Sequence, residues 1–468
     1  MATFPFLALG VGCLLVGALG CLRLPQPGTG RATAVAASLC ALLCFALAMA
    51  LPVPRATSQE LGPFLALLHA SLRPDPLNAM PIVFFTAMHL VLILIAPKRD
   101  TAGGPLSGML LLCSGTVIAY AAGSLPVLVG GWWLTVVPFF LGLFGPTRAN
   151  RIIVLFLIAS ATALSVFVYL THSSSLESFS KTNHLAFAFL LAAVALRKGL
   201  FPLHSWVAAS FEHGPLLPSV LLFNGHLGAL LTARTEAVQL PGYAHQALDW
   251  LGVLALATAL LASIRGFAEK TPRRLLAFVC ISQASFILAG LATSNEQGIT
   301  GALLHWFVVS VTSCILGGII RILEVRVMDV ANPEGNLGLA VRAPRLATFF
   351  LIAALALVGL PGTLGYNAED LLFHGALESH PWMGISILGA TAFNAINLLR
   401  LYTLLFLGVL PKHVIEIPDA LPRERWPVTV CALLLIGGSF FSHRVFPLIS
   451  GATHRIHLAP EHQPALHP

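Results

Sequence analysis

The chain has 468 residues, of which 57% are hydrophobic and only 10% are charged. With a mean hydropathy of +0.86 it cannot be a soluble domain, in which about 25% of residues are charged. The formal charge of +7 requires no nucleic-acid partner, because membrane proteins keep lysine and arginine in their cytoplasmic loops.

Continuous apolar runs of about twenty residues predict an all-α polytopic membrane protein with about fourteen transmembrane helices. The first run has no basic segment before it, so we expect a retained anchor rather than a signal peptide. The runs lie near 4–22, 32–52, 79–96, 105–122, 125–144, 152–170, 185–206, 216–233, 248–264, 275–293, 299–322, 345–376, 383–409 and 428–449.

Lysine and arginine are concentrated in the odd-numbered gaps between these runs, as in RGFAEKTPRR (265–274). The positive-inside rule then places both termini on the non-cytoplasmic side of a bacterial-type cytoplasmic (inner) membrane. The end of the chain after His443 is polar and rich in histidine (His454, His457, His462 and His467), and it is expected to be disordered rather than to bind a metal.

The seventh run carries two cations, Arg197 and Lys198, with Pro202 shortly after them. A cation at this depth costs about 2.5 to 3.5 kcal/mol, and a proline frees backbone groups that lipid cannot satisfy. The twelfth run is interrupted at Pro361 before Glu369. Two broken helices five apart would belong to five-helix units of opposite topology, which is typical of secondary transporters.

The eight cysteines all lie in apolar runs without paired CxxC spacing, so they are expected to pack as small hydrophobic residues. The sequence has no dinucleotide-binding glycine motif, Walker loop or haem-attachment motif. We therefore expect no cofactor, no metal and no catalytic site in this chain.

Four segments carry a family resemblance. RKGLFPLHSW (197–206) resembles the KxxxFPLHxWLP signature of the antiporter-like subunits of respiratory complex I and of Mrp sodium/proton antiporters. TPRRLLAFVCISQASFILAG (271–290), NLLRLYTLLFLG (397–408) and GLPGT followed by Glu369 resemble other segments of that family. Together they cover about residues 105–410 in the family's order.

The resemblance implies two inverted five-helix repeats, helices 4–8 and 9–13, with broken helices 7 and 12. It implies three regions: helices 1–3 in residues 1–100, a proton-conducting antiporter-like core in 101–410, and the last helix with the polar tail in 411–468. Buried ionisable side chains would carry protons or sodium, and the chain would work with other subunits of a membrane complex.

The family's operating residues are altered here. Its helix 5 glutamate corresponds to Trp133, and its helix 7 lysine corresponds to Arg197, with Lys198 next to it. The position of its central lysine is occupied by His226, and only His305 remains of a row on helix 11. Because arginine does not release its proton and imidazole titrates near pH 6.5, His226 is the better proton carrier.

The predicted relay therefore runs through His226, His305 and the region of Glu369 and His374, with Arg197 and Lys198 as fixed positive charges. Structural roles remain open for the same residues. The two cations could bind carbonyls freed by Pro202, and the histidines could be satisfied core residues. Glu369 could be favoured by a helix dipole.

Two further residues have structural alternatives. His204 belongs to the signature and could only brace the break in the helix. Arg400 is expected to bind backbone carbonyls or a carboxylate such as Glu369.

Two other functions compete with proton or cation translocation. The membrane subunit of two-component inorganic-carbon uptake systems pairs with a soluble zinc-binding subunit, and a glutamate at the position of Glu212 is compatible with that branch. The missing helix 5 glutamate would also fit a non-conducting scaffold that only anchors a partner. A co-purifying zinc protein, or quinone-reductase subunits, would distinguish these functions.

Overall fold

A computed structural model of the chain describes residues 6–24, 26–51, 71–146, 149–171, 175, 182–238, 240–410 and 417–457. Nine helices in this part of the chain are long and apolar enough to cross a bilayer. The helices are α1 (Phe6–Arg23), α2 (Pro27–Ala50), α3 (Ala79–Ile95), α4 (Gly103–Ala121), α5 (Leu125–Leu134), α6 (Val137–Phe140), α7 (Asn150–Thr171), α8 (His184–Lys198), α9 (Ser205–His213), α10 (Leu216–Asn224), α11 (Leu227–Glu236), α12 (Gly242–Gly266), α13 (Pro272–Leu291), α14 (Glu296–Arg326), α15 (Pro344–Leu357), α16 (Leu364–Ser379), α17 (Pro381–Phe406), α18 (Pro422–Phe440) and α19 (Ser442–His457).

The centre of the bundle is formed by α10, α11, α13 and α14, which are buried along almost their whole length. The apolar helices α1, α2, α7 and α17 lie outside them and expose most of their surface. Polar side chains on the central helices are therefore shielded from lipid by other protein segments, and they must find partners inside the bundle. The predicted all-helical membrane architecture is confirmed for the described residues.

Helices α4 and α5 approach each other closely through two glycines. A Cβ atom at Gly131 would lie 2.5 Å from the backbone nitrogen of Ala119, and one at Gly115 would lie 2.8 Å from that of Thr135. Small residues allow such backbone contact in membrane helices. The contact holds Thr135, at the end of α5, inside the bundle.

The first interruption separates α8 from α9. Gly199 ends α8 in the left-handed region, at φ 63°, directly after Lys198. The indole nitrogen of Trp206 donates to the carbonyl oxygen of Leu196 at 2.9 Å, and the amide of Phe201 donates to the Thr258 hydroxyl at 3.0 Å. One side chain of the signature, Trp206, and one side chain of α12, Thr258, thus satisfy polar backbone groups near the break.

A second interruption divides the run that the sequence presents as one helix, 216–233. Helix α10 ends at Asn224, and α11 begins after His226, whose backbone is left-handed at φ 38°. A left-handed conformation at a residue other than glycine is uncommon and costs roughly 1 to 3 kcal/mol. The expected continuous helix is therefore wrong at His226, one of the predicted site residues.

The third interruption lies between α15 and α16, near the predicted proline-glycine break. Gly359 and Gly362 adopt positive φ angles of 67° and 88°. A Cβ atom at Gly359 would lie 2.7 Å from Glu369 Oε2, so the carboxyl group folds back against the interrupted segment.

The expected disorder after His443 is wrong for part of that segment. Ser442–His457 forms α19, whose residues Ile449, Ala452 and Ile456 are buried. Their spacing of three and four residues gives the helix an apolar face, which packs on the bundle near Thr300. His462 and His467 lie outside the described residues.

Candidate functional site

Arg197 lies at the end of α8 and is held by α5. Its Nη2 donates to the Thr135 hydroxyl at 2.8 Å, and its guanidinium lies 5.5 Å from the centre of the Trp132 ring. Trp133, which stands at the family's glutamate position, instead donates its indole N–H to Ser165 at 3.0 Å. The cation is thus stabilised by a hydroxyl and an aromatic face.

Lys198 points to His226 across the second interruption. Its Nζ lies 3.0 Å from Nδ1 of His226, and both residues are almost fully buried, at 3% and 1% exposure. An ammonium group can only donate, so Nδ1 accepts and the neutral ring carries its proton on Nε2. The lysine stem reaches this position across Gly228, where a Cβ atom would lie 2.6 Å from Lys198 Cγ.

The unusual backbone of His226 is supported by α4. The hydroxyl of Tyr120, a fully buried residue, donates to the carbonyl oxygen of Gly225. The carbonyl of Tyr120 itself accepts from Arg234 Nη2 at 2.6 Å and from Asn78 Nδ2 at 2.9 Å. Tyr120 is therefore fixed at both ends and holds the peptide that precedes His226.

From His226 the polar groups continue towards α16. His305 on α14 is near enough to His226 for a charge on one ring to act on the other, and its Nε2–H donates to the carbonyl oxygen of Gln283 at 3.2 Å. The side chain of Gln283 lies in turn beside the carboxyl group of Glu369, together with Thr391. We call Lys198, His226, His305, Gln283 and Glu369 the buried row; the first four are buried and Glu369, at its end, is half-buried.

Three predicted site residues lie apart from the buried row. His204 lines an open groove of about 280 Å³ and stacks on Phe201 with ring centres 5.7 Å apart. His374 has a side chain that is 55% exposed, and its Nδ1 lies 3.5 Å from Asp370 Oδ1. The structure therefore does not bring His374 together with Glu369 in the predicted relay.

Arg400 is the third of these residues, and it binds backbone. Its Nη1 donates to the carbonyl oxygens of Gly266 and Phe267 at 3.3 and 3.0 Å, and its Nη2 donates to that of Glu269 at 3.3 Å. Backbone carbonyls were one of the two partners expected from the sequence. The residue ties the end of α17 to the segment that follows α12.

Sequence reasoning missed several residues of the site. Tyr120, Thr135 and Gln283 are uncharged, and each occurs singly in an apolar helix, so no local signal marks them. A signal does exist on α17, where Thr391, Asn394, Asn397 and Arg400 recur every third residue. With 3.6 residues per turn, each of these positions is turned by about 60° from the one before it, so the polar groups form a line that winds slowly round the helix.

The part of the chain that contains the site also matches a known protein family. The family described as NADH:quinone oxidoreductase/Mrp antiporter, TM, matches residues 139–394. The matched region includes all three interruptions and the whole buried row. The chain belongs to this family, as its motifs predicted.

The individual relatives share about a quarter to a third of their residues with this chain over the matched regions. The chain is 31% identical over 241 residues to NADH-quinone oxidoreductase subunit N of Desulforudis audaxviator, which is 49% of this chain and 46% of that subunit. The match thus spans about half the length of that relative. This chain is also 27% identical over 397 residues to NAD(P)H-quinone oxidoreductase chain 4 1 of Synechococcus elongatus. That match covers 78% of this chain and 74% of the Synechococcus protein.

The fold is shared with a solved structure. A chain of respiratory complex I from Thermus thermophilus with bound NADH superposes with a TM-score of 0.79 at 21% identity, covering 96% of this chain and 99% of that one. The chain is therefore a multi-pass membrane protein with the fold of that subunit. These relatives are parts of multi-subunit complexes.

Proposed function

We propose that this chain moves protons across the membrane as an antiporter-like subunit of a larger complex. The observation that carries the proposal is the contact of 3.0 Å between Lys198 Nζ and His226 Nδ1, buried in the centre of the bundle. Ionisable groups are costly inside a membrane protein and usually mark an ion or proton pathway. Here two of them touch, and further polar groups extend the line to Glu369.

The contact between Lys198 and His226 is suited to proton transfer. The ammonium group gives a proton to Nδ1, and the ring then releases the other proton from Nε2, so charge crosses the imidazole without displacement of the ring. The amine of Lys198 is left neutral and the ring is left with its proton on Nδ1. The ring must therefore reorient to present a bare nitrogen to Lys198 before the amine, once it has been protonated again, can give the next proton. Two positive charges side by side repel strongly at low dielectric, which favours moving one charge at a time.

His305 and Glu369 extend this path. Nε2–H of His305 is engaged with the carbonyl oxygen of Gln283, which leaves Nδ1 as the atom that can accept a proton from the side of His226. From there the proton reaches Glu369 past the Gln283 and Thr391 side chains. Water molecules between these polar groups would complete the transfer, as in other buried polar sites.

Arg197 serves as a fixed charge in this mechanism. Arginine stays protonated at any accessible pH, and its guanidinium is already bound by Thr135 and faces Trp132. It would raise the local positive potential beside Lys198 without exchanging protons. Of the two adjacent cations, Arg197 would thus keep its charge and Lys198 would exchange protons.

The finer architecture is part of the same proposal. Joining α5 with α6, and joining the pieces on either side of each of the three interruptions, would give fourteen spans from α1 to α18. These spans would form inverted units from helices 4–8 and 9–13. Both termini would lie outside the cytoplasm of a bacterial-type inner membrane, with the three regions 1–100, 101–410 and 411–468. The distribution of lysine and arginine supports this orientation.

Proteoliposomes that contain the chain with its native partner subunits test the function. A membrane potential should drive acidification or alkalinisation of the lumen, and Lys198→Met should slow it by about tenfold, the factor that corresponds to about 1.4 kcal/mol on the barrier. Ion substitution separates protons from sodium, since a sodium carrier stops when sodium is removed. Flux equal to that of empty liposomes would contradict the proposal.

The two alternatives predict other outcomes of the same preparation. A subunit for inorganic-carbon uptake would co-purify with a zinc-binding protein, and flux would depend on carbon dioxide hydration by that protein. A scaffold would co-purify with its partners and conduct nothing. Identification of the co-purifying subunits by mass spectrometry, followed by the flux measurement, distinguishes all three.

A further inference from the structure

Helix α17 carries a line of polar side chains that the buried row does not include, and the line winds slowly round the helix. Thr391, Asn394, Asn397 and Arg400 recur at every third position, and we call them the α17 polar line. They span about 14 Å along the helix at 1.5 Å per residue. Thr391 lies beside the Glu369 carboxyl group, so the line begins where the buried row ends.

Asn394 and Asn397 are fully buried, and their amide groups are oriented by their neighbours. Nδ2 of Asn394 donates at 2.8 Å to the Ser282 hydroxyl, which itself donates to the carbonyl oxygen of Ala259. Nδ2 of Asn397 donates at 2.7 Å to the carbonyl oxygen of Ser263. Both contacts require the nitrogen at that place, so each Oδ1 is fixed on the other side.

Neither Oδ1 atom has a hydrogen-bond partner among the described residues. Buried polar atoms in native proteins are nearly always hydrogen-bonded, and groups without a protein partner mark bound water or ions. Two such atoms occur one turn apart on the same helix. They point to water along the α17 polar line rather than to dry packing between helices.

The far end of the line opens to the surface. Arg400 lines an open pocket of about 310 Å³ together with Glu269, Lys270 and Asn336. Gly266, at the end of α12, leaves the space that Asn397 fills, because a Cβ atom there would lie 2.4 Å from Asn397 Nδ2. Polar groups thus continue from Glu369 to a polar opening at the membrane surface.

We propose that the α17 polar line is a hydrated proton pathway that connects Glu369 with the pocket at Arg400. The pathway rests on the proposed proton translocation and assigns it a route beyond the buried row. Lys270 lies in a gap that the charge distribution assigns to the cytoplasmic side, so the route leads to that side. Glu369 would exchange protons through water held by the two asparagine oxygens.

Substituted cysteines test the route without requiring proton flux. Asn397→Cys should react with 2-aminoethyl methanethiosulfonate about tenfold faster than Leu398→Cys, because only a hydrated thiol ionises readily. Leu398 is the matched control, since it is buried beside Asn397 at the same depth. Peptide mass spectrometry separates the label from that on the eight native cysteines. Equal, slow labelling of the two variants would overturn the pathway.

Proton flux supplies the second readout. Asn397→Leu should slow flux by about tenfold, the factor expected from loss of one hydrogen bond to the transferred proton. Asn397→Ser should retain flux, because it cannot reach the Ser263 carbonyl but leaves room for water. Loss of flux in Asn397→Ser as well would indicate a structural amide and overturn the pathway.

A neighbouring amide provides the control for flux. Asn367→Leu removes a half-buried amide of α16 whose Nδ2 lies 3.4 Å from the Ser439 carbonyl oxygen, away from α17. It should leave flux unchanged. Fast labelling of Asn397→Cys, together with no proton flux through the wild-type chain, would support hydration of the line and contradict the proposed function. The two failures are therefore distinguishable.

Discussion

Replacement of Gly228 by alanine tests whether the position of Lys198 depends on the space above this glycine. The new Cβ atom would lie 2.6 Å from Lys198 Cγ, 3.2 Å from Lys198 Cδ and 3.3 Å from the carbonyl oxygen of Val194. Carbon atoms do not approach to 2.6 Å, so the lysine stem has to move. The contact of 3.0 Å with His226 should then be lost.

Two opposing terms set the magnitude. Overpacking a buried site costs about 1 to 3 kcal/mol. Alanine is favoured over glycine inside a helix by about 1 kcal/mol. The variant should therefore be less stable by about 0 to 2 kcal/mol, while proton flux falls by about tenfold because the donor no longer reaches Nδ1.

Gly130→Ala is the matched control for this variant. Gly130 also lies inside a helix, α5, but a Cβ atom there would meet nothing within 4 Å. This variant should be as stable as the wild type or slightly more stable, with unchanged flux. Thermal unfolding in detergent and flux in proteoliposomes measure both quantities. If Gly228→Ala behaves like Gly130→Ala in both assays, the argument from the lysine position is wrong.

Two further substitutions address the surroundings of the buried row. Tyr120→Phe keeps the ring but leaves the carbonyl oxygen of Gly225 without its hydrogen bond. Thermal unfolding should therefore show a loss of about 1 to 3 kcal/mol of stability, and proton flux should fall. Unchanged stability would show that the Tyr120 hydroxyl does not support the backbone at His226. His374→Ala should leave flux unchanged because its side chain is exposed and faces Asp370; a clear drop in the same flux assay would return His374 to the relay.

The spacing of residues along a helix could have excluded His374 from the predicted relay. It follows Glu369 by five residues in a helix, and at 3.6 residues per turn the two side chains project about 140° apart. The spacing of five residues therefore places Glu369 and His374 on different faces of the helix, although they are close in sequence. On α17, a spacing of three turns each polar position by only about 60° from the one before it, so consecutive members such as Asn394 and Asn397 lie close together while the line as a whole winds round the helix.

Other features could not be read from the sequence. Motif counting located Arg197 and His226, but it could not say which of two adjacent cations faces the histidine. That choice depends on Gly199, which ends α8, and on the space above Gly228. The helix end at Gly199 and the space at Gly228 both depend on the folded structure, because a glycine in a sequence does not reveal which side chain will pack against it.

The membrane architecture was the most predictable property. Apolar run length and the distribution of charges depend on the bilayer and not on packing, so they can be counted directly. The break at His226 was missed because its cause lies elsewhere in the chain, in the hydroxyl of Tyr120. Helix α19 was missed because a polar composition hid the periodic placement of Ile449, Ala452 and Ile456.

Proton flux in proteoliposomes with His226→Ala tests the central claim most directly. The matched control is His89→Ala, since His89 is also fully buried but lies on α3, with its Nδ1 3.4 Å from the Ser38 hydroxyl and outside the buried row. We expect His226→Ala to lower flux by about tenfold or more and His89→Ala to leave it unchanged. Equal flux in the wild type and in His226→Ala would contradict the account.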